Sequence, residues 1–174
     1  MLRHALVLCG SLALPAVLVA TGCTVKNAYP PVAGPSSEGF GTPADAPGPE
    51  VMGLALKAVA KRNGEAEFAY SLPAGLREKA WTGVDRTLGS SVRRATSEDA
   101  RFYAVDWIRI DGGTAEVGVL APRDGHYQLF TVRLSGGGLG PFRVAHVQPW
   151  TVRQEPPVAH GPFQRPPFVT AQAE

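Results

Sequence analysis

The spacing of apolar positions changes along this chain, and each change marks the edge of an element. From Val51, apolar residues recur at helical spacing, with Leu54, Ala55, Ala58 and Val59 on or near one stripe and Lys57, Lys61 and Arg62 toward the far end. That period and charge order predict a helix opening at Glu50 and closing at Asn63-Gly64, where glycine can take the left-handed cap. Leu72, Leu76, Ala80, Val84 and Leu88 repeat at every fourth position between Ser71 and Gly89. They predict a second helix from Leu72 or Pro73 to Leu88, against which Gly75 and Gly83 count. Phe68-Ala69-Tyr70 fits a strand or a link between helices equally well.

From Arg101 onward the apolar residues alternate instead. Phe102 to Ile110, Thr114 to Ala121, His126 to Leu134 and Phe142 to Arg153 read as strands. Asp111-Gly112-Gly113 and Arg123-Asp124-Gly125 are tight-turn signals, because Asp and Gly tolerate the positive φ such turns require. Ser135 to Pro141 makes a looser third turn. Short connections force antiparallel neighbours. The expected fold class is therefore α+β: two N-terminal helices packed on a four-stranded antiparallel β-meander.

Composition sets the limits of this domain. From Thr24 to Pro49, and again from Gln154 to Glu174, prolines and glycines replace the apolar periodicity. Segments of this kind bury too little surface to offset their ordering entropy, so both are expected to be disordered or extended. The chain then divides into 1–22, a 23–49 tether, a 50–153 globular body and a 154–174 tail. No internal repeat stands out. The formal charge of +2 is spread along the chain, and Lys61-Arg62 and Arg93-Arg94 read as isolated pairs on a solvated surface, so nucleic acid is not an expected partner.

The first segment has chemistry of its own. Arg3 precedes an uncharged run from Ala5 to Ala20 rich in Leu, Val and Ala, and small residues follow: the parts of a secretory signal. The run is shorter than the roughly 20 apolar residues a membrane-crossing helix needs. Ala20-Thr21-Gly22-Cys23 resembles the lipobox of bacterial lipoproteins, with Ala20 where those proteins more often carry Leu. The resemblance implies that Cys23 becomes the lipidated first residue of the mature protein. It also implies a bacterial cell-envelope location, anchored to a membrane on its extracytoplasmic side, since several acyl chains at about 0.8 kcal/mol per buried CH₂ anchor stably. Cys9 lies in the part removed, so no disulfide is left for the folded body.

The order of elements, two helices and then a meander whose last strand carries Trp150, resembles the NTF2-like or cystatin-like superfold. That resemblance implies helices against a curved sheet. It leaves function open, because such folds host isomerases, dehydratases and non-catalytic binding modules.

Strand register supplies the candidate sites. A tight turn at Gly112-Gly113 sets Ile108 opposite Val117, Arg109 opposite Glu116 and Asp106 opposite Val119. The helix-facing side then carries Ile108, Val117, Phe130, Val132 and Trp150, and Asp106, His126, Gln128, His146 and Gln148 cluster at one end of it. Polar groups at the mouth of an apolar concavity are what a small-molecule pocket needs. Asp106, His126 and His146 are the candidate catalytic residues, a carboxyl against apolar walls with a histidine in reach. Gln128, Gln148 and Trp150 are the candidate ligand contacts. The two histidines stand about 13 Å apart in this register at ~3.3 Å per residue, too far to share an ion, so no metal and no cofactor is expected.

Other chemistry is excluded by pattern. No Gly-x-Ser-x-Gly elbow occurs, and the Gly136 to Gly140 run is followed by a strand, so it offers no helix N-terminus to a phosphate. On the opposite sheet face, Tyr103, Trp107 and Leu129 are candidate interface residues, because so many apolar groups on a solvent face usually meet a partner, here a second copy or another envelope protein. The expectation is a lipid-anchored binding or assembly module without catalysis. The alternative is an isomerase- or hydratase-like enzyme.

Overall fold

In the computed structural model, which describes residues 26–29, 40–41, 46–137 and 140–162, two helices pack on one side of a mostly antiparallel sheet. The fold is α+β, as the change of period requires. In chain order the elements are β1 (Lys26–Tyr29), β2 (Phe40–Gly41), α1 (Gly48–Arg62), β3 (Phe68–Ser71), α2 (Glu78–Leu88), β4 (Val92–Arg94), β5 (Tyr103–Asp111), β6 (Thr114–Arg123), β7 (His126–Gly137) and β8 (Gly140–Gln154).

β5 to β8 form the expected meander, and its turns fall where the glycines placed them: Gly112 has φ 57°, and Asp124 and Gly125 have φ 46° and 79°. The sheet is larger than four strands. It runs β2-β1-β5-β6-β7-β8, with β3 and β4 joined to the N-terminal part of β5 through parallel pairing. β1 pairs antiparallel with the C-terminal part of β5, Lys26 opposite Asp111 and Tyr29 opposite Ile108. The segment read as a tether from 23 to 49 thus contains two strands, because backbone pairing along an open edge does not need apolar periodicity.

α1 follows its period closely, burying Val51, Met52, Ala55, Leu56 and Val59 against β5 to β8. It ends as expected at Gly64, φ 78°, with the Glu65 amide donating to the Ala60 carbonyl at 2.9 Å. α2 begins at Glu78, later than Leu72 or Pro73. Gly75 takes φ 81°, so Leu72 and Leu76 reach the core from a loop whose spacing imitates a helix. Gly83, which counted against this helix, lies within it where the two helices approach: a Cβ there would stand 2.7 Å from Pro49 Cβ.

The main core lies between the sheet and the helices, around Trp81, Tyr70, Tyr103, Phe130, Ile108 and Val117. A smaller cluster on the outer sheet face joins Ala69, Ala95, Phe102, Ala104, Leu120 and Tyr127, with Leu129 and Ala159 packed against it. Ala159 belongs to the tail. Residues 155–162, expected to be solvated, run back across the outer face, and the His160 amide donates to Ser71 Oγ at 2.9 Å.

Candidate functional site

One irregularity in β5 builds the site. Val105 pairs with Val119 and Trp107 with Gly118, so Asp106 is an extra residue with no partner across the ladder, a β-bulge. Bulges break the alternation and re-aim side chains. Here two neighbours, Asp106 and Trp107, both face outward, while Tyr103 and Val105 turn into the main core. The expected pairing of Asp106 with Val119 does not occur. Tyr103, expected as an interface residue, is fully buried instead; its hydroxyl accepts from Asn63 Nδ2 at 3.1 Å, and burial pushes it up to a pKa of about 12.

Trp107 is held flat by its neighbours. A Cβ on Gly118 would stand 2.2 Å from Trp107 Nε1, so only glycine lets the indole lie on β6, and the Arg109 guanidinium sits over the ring at 5.5 Å from its centroid.

Beside these residues opens a cleft of about 700 Å³. Ala104, Val105 and Leu120 line it from the sheet, Ser71, Pro73 and Ala74 from the end of β3, and Pro157, Val158 and His160 from the tail. Asp106, Trp107 and Arg109 supply its chemistry. Burial raises the Asp106 carboxyl above the ordinary carboxylate range, and among the described residues no hydrogen bond or ion pair reaches it. Ser71 is nearly fully buried and holds the tail: its Oγ receives the His160 amide and donates to the Leu72 carbonyl at 3.3 Å. The arrangement offers apolar walls, one carboxylate and one guanidinium, which suits recognition of an extended chain or an amphipathic small molecule.

The remaining expected residues do not join Asp106. β8 shifts register against β7 between Gln128 and Phe130, between Arg133 and Leu134 and between Ser135 and Gly137. His146 therefore pairs with Arg133 and Gln148 with Thr131, on the outer side, whereas Gln128 pairs with Arg153. Gln128 Nε2 donates to the Trp150 carbonyl at 2.7 Å and its Oε1 accepts from Arg123 at 2.9 Å. His126 faces Arg123 beside the β6–β7 turn, its Nδ1 3.3 Å from the Asp124 carbonyl oxygen. Trp150 is 45% exposed and donates its indole N–H to Thr131 Oγ1 at 2.9 Å, not into the main core. Leu129 packs on the outer cluster. Cys23 lies outside the described residues.

A second polar cluster ties α2 to β4. Arg94, expected on a solvated surface, forks between Glu78 at 2.8 Å and Asp85 at 2.6 Å, lies over the Trp81 ring at 5.5 Å, and shares Asp85 with the Tyr70 hydroxyl. The Arg94 hydrogen bond holds the Glu78 carboxyl below its ordinary value. Tyr70 is raised by burial first and by Asp85 second, so it stays a phenol. These groups are paired with one another and read as structural, though the buried Trp81 Nε1 has no partner among the described residues.

Sequence reasoning missed Ser71 and His160, which become neighbours only when the tail returns to β3. It missed the bulge as well, for which Gly118 opposite a tryptophan was the available signal. No protein-family model, no curated protein and no solved structure matches this chain.

Proposed function

We propose that the protein is a lipid-anchored, extracytoplasmic module of the bacterial cell envelope that binds or assembles without catalysing, and that it works through the outer-face cleft. The observation that carries this reading is the bulge, which sets Asp106 and Trp107 side by side in a partly desolvated cleft with no partner for the carboxylate among the described residues. Arg109 and Leu120 beside them complete a surface for an envelope protein or a second copy. The NTF2-like or cystatin-like superfold is proposed for the body on its element order alone, with β1 to β4 as additions to that order.

The anchor rests on Cys23. Only Thr24 and Val25 lie between that residue and β1, and at up to about 3.6 Å per residue they span on the order of 10 Å. An acylated Cys23 would hold the body against the bilayer, not at the end of a long tether. Among the described residues no helix is long and apolar enough to cross a membrane.

The enzyme reading loses its expected constellation, because His126 and His146 lie on other parts of the sheet. What favours it is Asp106 itself, a carboxyl with a raised pKa in a cleft that His160 also lines.

Mass spectrometry of native material tests the anchor: a diacylglyceryl Cys23 as first residue is expected, and an intact initiator methionine or an unmodified thiol refutes it. Trp107→Glu tests the face. The variant is expected to lose self-association or partner capture in sedimentation with its fold intact. Unchanged association assigns the contact to another surface.

A further inference from the structure

The tail residues that sit on the outer face recur once elsewhere in the chain, in a strip too short to set a structural period. Pro156-Pro157-Val158-Ala159-His160-Gly161-Pro162 is matched by Pro30-Pro31-Val32-Ala33-Gly34-Pro35, the same strip with the histidine left out. The match falls on the residues that make the contact. Pro157 and Val158 line the cleft and Ala159 packs on the outer cluster, and their counterparts are Pro31, Val32 and Ala33. The bond that fixes the tail uses a backbone N–H, that of His160, to Ser71 Oγ. Gly34 follows Ala33 as His160 follows Ala159, and its N–H supplies the same donor whatever the side chain.

Register brings the strand that precedes the second strip to the same edge. β1 runs antiparallel to β5 and its last pair is Tyr29 opposite Ile108. β3 pairs with β5 at Tyr103 and Ala104, so among the described residues the β5 edge from Val105 to Trp107 is unpaired between the two strands, beside the cleft. Pro30 follows Tyr29 by one peptide unit, about 3.8 Å from Cα to Cα. β1 therefore ends beside Trp107 and Asp106, and the second strip is the stretch of chain that follows it in sequence.

We infer that the outer-face cleft is a receptor for this proline-rich strip, and that the strip at 30–35 of the same chain exchanges with the tail strip at 156–162 for one seat. Proline-rich chain suits the role, since it is extended before it binds and loses little entropy on docking against an aromatic-lined groove. When the N-terminal strip holds the seat, the tail strip is displaced from it. The inference needs only the cleft and the repeat and stands whether or not Cys23 carries lipid.

Disulfide trapping in the full chain carrying Cys9→Ser and Cys23→Ser tests it. Ala74→Cys is combined in turn with Val158→Cys, Val32→Cys or, as a control from the same stretch, Ser37→Cys. Both strip pairs are expected to close within one molecule, the Val32 pair at least threefold above the Ser37 control. Adding Pro157→Asp to unseat the tail should raise the Val32 yield further, and an excess of synthetic peptide covering residues 28–37 should lower the Val158 yield. Unfolding midpoints within the error of the parent confirm that the variants are folded. A Val32 yield no higher than the control, a yield insensitive to Pro157→Asp, or a disulfide found only between molecules overturns the exchange.

Discussion

The two faces of the sheet are closed by different means. On the inner face, α1 lays a periodic apolar stripe over β5 to β8, with α2 packed beside it against α1 and β4, and Ile108, Val117, Val119, Phe130 and Val132 are at most 1% exposed. Among the described residues the outer face has no helix. Its cluster of small and aromatic residues is covered by an irregular tail fixed through one backbone hydrogen bond, and a cleft remains beside it. The first face serves stability, and the second leaves open the surface on which the proposed binding role rests. Asp106 and Trp107 reach the second face only because the bulge gives β5 an extra residue.

The difference can be broken by truncating each face. Phe130→Ala removes a fully buried ring from the inner core and should cost about 3–5 kcal/mol in urea unfolding. Leu129→Ala, one position along on the outer side and only partly buried, should cost on the order of 1 kcal/mol, since fewer contacts are lost. Equal costs would mean that the outer cluster is as much a core as the inner one.

Arg94 sharpens the comparison at the rim, where α2 meets β4. Arg94→Met leaves Glu78 and Asp85 without their cation and should cost about 1–2 kcal/mol, allowing for partial exposure of all three side chains. The effect depends on pH with a definite sign. Glu78 ionises more readily folded than unfolded, so its contribution is complete above the unfolded pKa and is lost as pH falls through the lower folded value. Arg94→Met should flatten the acid limb of the stability profile, and a parallel limb in both proteins would show that the pair does not hold α2.

Ser71→Ala tests the clasp on the tail. Loss of one acceptor should cost about 1 kcal/mol locally and abolish slow hydrogen exchange at the His160 amide, leaving α1 and the inner strands as protected as before. Protection lost throughout the sheet would mean that Ser71, nearly fully buried, supports the core and not the tail alone.

How far each face could be read from the sequence follows from what closes it. α1 and the meander were legible because local rules fix them: an apolar stripe capped at Asn63-Gly64, alternation, and Asp-Gly turns at Gly112 and Gly125. Pairing counted outward from the Gly112 turn holds for Ile108 and Arg109 and fails at Asp106, since alternation carries no mark of an inserted residue. Every face assignment beyond that point inverts, which is why Tyr103 moved from surface to core. His146 and Gln148 moved for the same reason on β8. β1, β2 and the seat of the tail depend on edges and hollows built by distant residues, and proline-rich composition conceals such docking.

The smallest effect is a pH dependence, and it bears directly on the cleft. Because burial raises the Asp106 carboxyl when the chain folds, the folded state binds this proton more tightly than the unfolded state. Stability contributed by Asp106 is therefore greatest below its unfolded pKa of about 4 and declines as pH rises through the folded value. Asp106→Asn removes that decline. The variant should match the parent at low pH and be slightly more stable at neutral pH, the reverse of the Glu78 behaviour at the rim. Profiles of the two proteins that stay parallel from roughly pH 3 to 7 would show a carboxylate in open water, and the proposed recognition surface would then lack its partly desolvated group.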